Sequence, residues 1–138
     1  MDPRDVRHVG VVGCGLMGSG IVEVTARAGA DVTYVEGDEE LVARGRGSIE
    51  RSVAKAVERG KLEPADAEAL LGRVSGTTDL AGLDGSDLVI EAATEDLQAK
   101  LAIFRALGDV TRPDVVLASN TSSIPIVSSR SRPGERTA

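Results

Sequence analysis

The sequence predicts an α/β fold built on a doubly wound, mainly parallel sheet, and three observations carry that expectation. Short β-branched runs alternate with segments of helical length, which is how parallel strands joined by crossover helices read. The first run ends in a glycine cluster, Gly13-Cys14-Gly15-Leu16-Met17-Gly18, and a helical segment follows it directly. The second run ends in a carboxylate, Glu36. With 138 residues the chain holds one core and not two.

The elements can be read in order. Val6 to Val12 is a strand, and Leu16 to Ala28 a helix stopped by Gly29. Val32 to Val35 is a buried strand. Asp38 is placed to cap a long helix that runs to about Arg59 and is closed by Gly60. Glu63 to Leu71 is a shorter helix with Pro64 in its first turn. Val74 to Thr77 and Asp87 to Ala92 are strands. Thr94 is the expected cap of a helix through Leu107, with Leu97, Leu101 and Phe104 at core-facing spacing. Val115 to Ala118 is a further strand, and Ile124 to Val127 begins a short helix. The expected organisation is one nucleotide-binding domain over residues 1–127, then a polar, unpatterned tail over 128–138.

Composition excludes several classes. A net charge of −6 leaves no general basic footprint for nucleic acid, and the two aromatic residues, Tyr34 and Phe104, supply no base-stacking platform. No apolar run approaches the roughly 20 residues of a membrane span, and the first residues lack the apolar core of a signal peptide. One cysteine, Cys14, allows no internal disulfide. The expectation is a cytoplasmic protein without a nucleic-acid or membrane partner.

The glycine cluster matches G-x-G-x-x-G between a strand and a helix, the phosphate loop of a Rossmann-type domain. Gly13 permits the tight turn, Gly15 lets the backbone approach a pyrophosphate, and Gly18 lets helix and strand pack closely. The helix N-terminus then presents unpaired N–H groups to the phosphates. Glu36, 23 positions beyond Gly13, can accept from both hydroxyls of an adenosine ribose and would repel a 2′-phosphate. It therefore selects NAD over NADP. Cys14 reads as a small residue tolerated by the turn, because a reactive thiol needs a base and an open cleft. His8, the only histidine, precedes the first strand at the edge opposite the cofactor and reads as a surface residue.

Residues 44–61 carry six cations against Glu50 and Glu58. At about 100° per residue, Arg44, Arg51, Lys55 and Arg59 share a face with Ser48 and Ser52, while Val42, Ile49 and Val53 fall elsewhere. That stripe is either a solvated face or an anchor for a polyanionic ligand such as the phosphorylated ADP of coenzyme A.

Two later blocks carry a resemblance to a family. Val89-Ile90-Glu91-Ala92-Ala93-Thr94-Glu95-Asp96-Leu97-Gln98-Ala99-Lys100 resembles a segment written V-E-A-x-x-E-x-x-x-x-K, and Ala118-Ser119-Asn120-Thr121-Ser122-Ser123-Ile124 is similar to the hallmark A-S-N-T-S-S-L. With the glycine loop and Glu36 these resemble the N-terminal domain of the L-3-hydroxyacyl-CoA dehydrogenases, of the compact bacterial 3-hydroxybutyryl-CoA type. The resemblance implies that Glu95 and Lys100 contact NAD on its nicotinamide-ribose side. It implies that Ser122 hydrogen-bonds the substrate's 3-oxygen, and that Ser52 and Arg59 contact coenzyme A. The implied reaction moves a hydride between NAD and C3 of an (S)-3-hydroxyacyl-CoA, or to acetoacetyl-CoA in reverse, in fatty-acid or butanoate metabolism. The family's general base is a histidine in a G-x-H-F-x-N-P segment, followed by a helical domain that makes a homodimer. No histidine follows His8 here, so the chain as it stands is expected to be a poor catalyst. A non-catalytic NAD-binding module or partner subunit is the alternative. The β-hydroxyacid dehydrogenases share G-x-G-x-M-G but lack S-N-T-S-S.

Overall fold

The computed structural model describes residues 6–93 and 96–119. Within them five strands form one sheet: β1 (His8–Val12), β2 (Asp31–Val35), β3 (Val74–Thr77), β4 (Leu88–Glu91) and β5 (Val116–Ser119), in the spatial order β3-β2-β1-β4-β5. All four strand pairings are parallel. The connections are helical: α1 (Leu16–Arg27), α2 (Glu39–Glu58), α3 (Pro64–Gly72) and α4 (Leu97–Val110). This is the expected doubly wound Rossmann-type sheet, with the strand order reversing between β1 and β4.

Alternation along the strands sends side chains to two faces and so makes two cores. Val9, Val11, Val32 and Tyr34 meet Val22 and Ala26 of α1, Ile49 and Val53 of α2, and Leu70 of α3 on one face. Val12, Val35, Val89 and Leu117 meet Leu83, Phe104 and Leu107 on the other. Tyr34 is the largest of the fully buried side chains, and its hydroxyl donates to the Val42 carbonyl at 2.7 Å, so the polar tip is satisfied.

Local signals ended most helices where expected. The Asp38 carboxylate caps α2 by accepting from the Leu41 N–H at 2.8 Å. Pro64 opens α3, and Gly29 and Gly60 follow α1 and α2 with positive φ. Four expectations need correction. The first strand starts at His8 instead of Val6, because the Arg7 and His8 N–H groups donate to the Asp87 carboxylate at 2.9 and 3.0 Å instead of joining the ladder. His8 thus opens β1 and stays exposed. Helix α4 is capped by Asp96 and not Thr94, its carboxylate accepting from the Gln98 and Ala99 N–H groups at 2.9 and 3.4 Å. That later start makes Leu97 the first helical residue and leaves it 50% exposed, while Lys100 joins Phe104 and Leu107 on the buried stripe. Finally, a one-turn 3-10 helix at Leu80–Leu83, unforeseen in sequence, is capped by Asp79 and buries Leu83 completely. The short helix expected from Ile124 and the tail at 128–138 lie outside the described residues. Among the described residues no helix is long and apolar enough to cross a membrane.

Asp87 staples the edge of the sheet opposite the crevice. Two backbone donors, from Arg7 and His8, and then the Arg112 guanidinium hold its carboxyl down at about 2, against an ordinary 3.8. A depressed acid stabilises the fold above its unfolded value and loses that contribution as pH falls through its folded value. Urea unfolding should therefore show stability declining between about pH 4 and pH 2. Asp87→Asn should remove that slope and cost about 1–3 kcal/mol at pH 7, since it weakens three charge-assisted bonds. An unchanged acid profile in the variant would contradict the assignment.

Candidate dinucleotide site

Where strand order reverses, the carboxyl ends of β1 and β4 open a crevice that an α/β sheet uses for ligands. The glycine loop leaves β1 at this point. Gly13 has φ +94°, and its N–H donates to the Val35 carbonyl at 2.8 Å. A Cβ there would stand 2.6 Å from the Ala93 Cα. A Cβ on Gly18 would fall 1.9 Å from the Gly13 carbonyl oxygen, so turn and helix meet backbone to backbone. A Cβ on Gly15 would meet nothing within 4 Å, and that is the side from which a pyrophosphate can approach.

The start of α1 is electrostatically suited to an anion. Gly15 offers no side-chain cap, and the first turn carries no acidic residue. Helix α2 differs, with Asp38 as cap and Glu39 and Glu40 in its first turn. The α1 terminus therefore keeps its partial positive charge for a ligand. Leu16 and Met17 turn their side chains outward, so their backbone is what faces the loop.

Glu36 follows β2 directly, and its Oε2 accepts from the Cys14 N–H at 2.7 Å. The Cys14 N–H is thus spent within the protein and not aimed at a phosphate. Oε1 and the second lone pair of Oε2 can still serve ribose hydroxyls. The Cys14 side chain is 4% exposed and packs on Gly45, where a Cβ would lie 2.8 Å from its Sγ. Burial, then the nearby Glu36 carboxylate, pushes its thiol up to about 12, which makes it a packing group and not a nucleophile.

A groove of about 520 Å³ runs from Gly15 and Glu36 along α2, where Arg44, Ser48 and Ser52 line it. Ser52 therefore sits in one continuous depression with the glycine loop. Arg59 is the residue capping the end of α2 and does not line this groove. Seven residues beyond Ser52, it lies about 10 Å further along the helix axis. Arg46, which is not on that stripe, donates to the Val74 carbonyl at 2.8 Å.

The Lys100 ammonium donates to Glu91 Oε1, with both side chains wholly buried, and does not stand open toward a cofactor. The other Glu91 oxygen accepts from the Ala93 N–H at 2.7 Å, and the Ser119 hydroxyl reaches Oε1 at 3.3 Å. Sequence reading assigned Glu91 no role. The available signal was a carboxylate closing the apolar run Leu88-Val89-Ile90, where it must be buried and therefore paired. Glu95 and Ser122 lie outside the described residues.

The glycines give a paired test. Gly18→Ala should lower the unfolding free energy by about 3 kcal/mol, because neither backbone can yield enough to relieve a Cβ standing 1.9 Å from the Gly13 carbonyl oxygen. Gly15→Ala should cost about 1 kcal/mol or less yet weaken NAD binding at least tenfold. Calorimetric titration beside thermal unfolding reads both, and equal effects at the two positions would contradict the assignment.

Comparison with known proteins agrees with this geometry. Residues 8–135 match the family model described as 3-hydroxyacyl-CoA dehydrogenase, NAD binding domain. A 3-hydroxybutyryl-CoA dehydrogenase of Mycobacterium tuberculosis is 51% identical over 123 residues, covering 88% of this chain and 43% of that protein. A 3-hydroxyadipyl-CoA dehydrogenase of Escherichia coli is 41% identical, covering 88% of this chain and 26% of that protein. The crystal structure of M. tuberculosis FadB2 superposes with a TM-score of 0.85 at 50% identity, over 90% of this chain and 44% of that one. The chain thus spans less than half the length of these relatives. Its fold, its glycine-loop crevice and the match over nearly its whole length place it in the 3-hydroxyacyl-CoA dehydrogenase family, as the NAD-binding domain.

Proposed function

We propose that this chain is the NAD-holding part of a 3-hydroxyacyl-CoA dehydrogenase of the 3-hydroxybutyryl-CoA type. The observation that supports this most is the α1 N-terminus, bare of caps and acids, opening beside Glu36 at the switch point of the sheet. The residues fit the cofactor. Backbone N–H groups of Leu16, Met17 and Gly18 face the pyrophosphate, with Gly13, Cys14 and Gly15 shaping the turn beneath it. Glu36 accepts from the adenosine ribose and repels a 2′-phosphate.

NAD, when bound, supplies the hydride acceptor. The remaining assignments rest on matching motifs. Glu95 and Lys100 serve the nicotinamide-ribose side, Lys100 from within its pair with Glu91. Ser122 holds the 3-oxygen of the substrate, a hydroxyl being able to donate to a ketone and accept from an alcohol. The groove from Glu36 to Ser52 extends the crevice toward α2, which suits the ADP end of a 3-hydroxyacyl-CoA. Ser52 lines it, Arg44 adds a guanidinium within it, and Arg59 adds another past its end. Full-length proteins of this kind act as homodimers in this reading.

The sole histidine of these 138 residues, His8, lies at the opposite edge of the sheet, so none of them offers an imidazole base to a 3-hydroxyl in the crevice. Absence of such a base typically costs about 10²–10⁴-fold in rate. Titration should show NAD binding at least tenfold more tightly than NADP, with Glu36→Ala narrowing that preference. NADH oxidation with acetoacetyl-CoA should run at least about a hundredfold slower than with the M. tuberculosis relative. Equal affinity for NAD and NADP would overturn the cofactor reading, and turnover at the relative's rate would overturn the account of the missing base.

A further inference from the structure

The buried pair Glu91–Lys100 is more than the fold requires. Well-packed apolar residues of similar volume are often as stable as such a pair, because desolvating two charges offsets most of their attraction. Glu91 is the last residue of β4, in register with Val12 of β1 and Ser119 of β5. Its carboxylate gathers the Lys100 ammonium from the first turns of α4, the Ala93 N–H from the β4–α4 turn and the Ser119 hydroxyl from the end of β5. Ala93 in turn presses on the glycine loop, its Cα 2.6 Å from where a Gly13 Cβ would stand. One carboxylate therefore ties three elements on the β4–β5 side of the crevice.

We propose that Glu91 is the positioning residue for the nicotinamide half of the dinucleotide, acting through Ala93, Lys100 and Ser119 and touching no ligand atom itself. The adenosine half depends on a different set, Glu36 and the loop Gly13–Gly18, on the β1–β2 side of the crevice. The two halves are therefore separable by experiment. This inference rests on the NAD reading above.

The test uses the whole chain and two probes, ADP, which lacks the nicotinamide ribose, and NADH, with the fluorescence of the bound nicotinamide as a second readout. In the wild type NADH emission should shift to the blue and intensify on binding. Glu91→Gln keeps the shape and removes the charge. It should leave ADP affinity within about twofold, lower NADH affinity about tenfold and abolish the blue shift, as expected for one charge-assisted interaction. Should Glu91→Gln fail to fold, Ser119→Ala removes one bond to the same carboxylate, and a selective NADH loss of about threefold is expected. Equal losses for both probes would mean a merely structural role and overturn the proposal, as would an unchanged nicotinamide emission in the folded variant. Wild-type protein that binds ADP without any nicotinamide signature would overturn the positioning role alone. Wild-type protein that binds neither probe would overturn the NAD reading on which it rests.

Discussion

The structure turns on a close approach of backbone to backbone at the end of the central strand. The Gly13 carbonyl sits where a side chain on Gly18 would begin, and the Gly13 α-carbon sits against Ala93. Because nothing larger than hydrogen fits at either point, α1 is drawn onto β1 and the β4–α4 turn is drawn onto both. The start of α1 consequently lies in the crevice between β1 and β4 and not beside it. Everything that suits the site to a dinucleotide follows from that placement: the bare helix terminus, the open side of Gly15 and the carboxylate of Glu36 held on the Cys14 N–H.

The second constraint is electrostatic. The crevice mouth has one carboxylate beside the glycine loop, Glu36, and another buried at the end of β4, Glu91. Glu36 is half-buried and keeps acceptor capacity for hydroxyls. Glu91 is wholly buried and committed to Lys100, Ala93 and Ser119. The same residue type does two jobs because one side chain meets solvent and the other meets only donors from its own fold. Around them the two apolar cores hold the sheet rigid, so the loop positions rest on strands and not on one another.

Much of this was legible in the amino-acid order. The glycines at 13, 15 and 18 each met the steric fate that the motif requires, and Asp38, Pro64, Gly29 and Gly60 set helix ends through local chemistry alone. What escaped notice depends on tertiary context. Lys100 reads as a surface or ligand-facing cation, since lysine is almost never wholly buried unless paired, and its partner lies nine positions back across a turn. Thr94 and Asp96 are both capping residues two positions apart, and only the start of α4 distinguishes them. The 3-10 turn at Leu80–Leu83 is too short to show a period. Leu97 fits the apolar spacing of α4 yet stands exposed, because the helix begins there.

The central claim is that a dinucleotide lies across the carboxyl edge of this sheet, along the line from Glu36 over the α1 terminus to the end of β4. An amide NMR titration of the labelled chain with NAD reads that line residue by residue. The account predicts the largest shifts at Gly13, Gly15, Leu16, Met17, Gly18 and Glu36, with a second group at Ala92 and Ala93. Shifts concentrated on the opposite edge, around Arg7, His8 and Asp31, or none at all at saturating NAD, would contradict it.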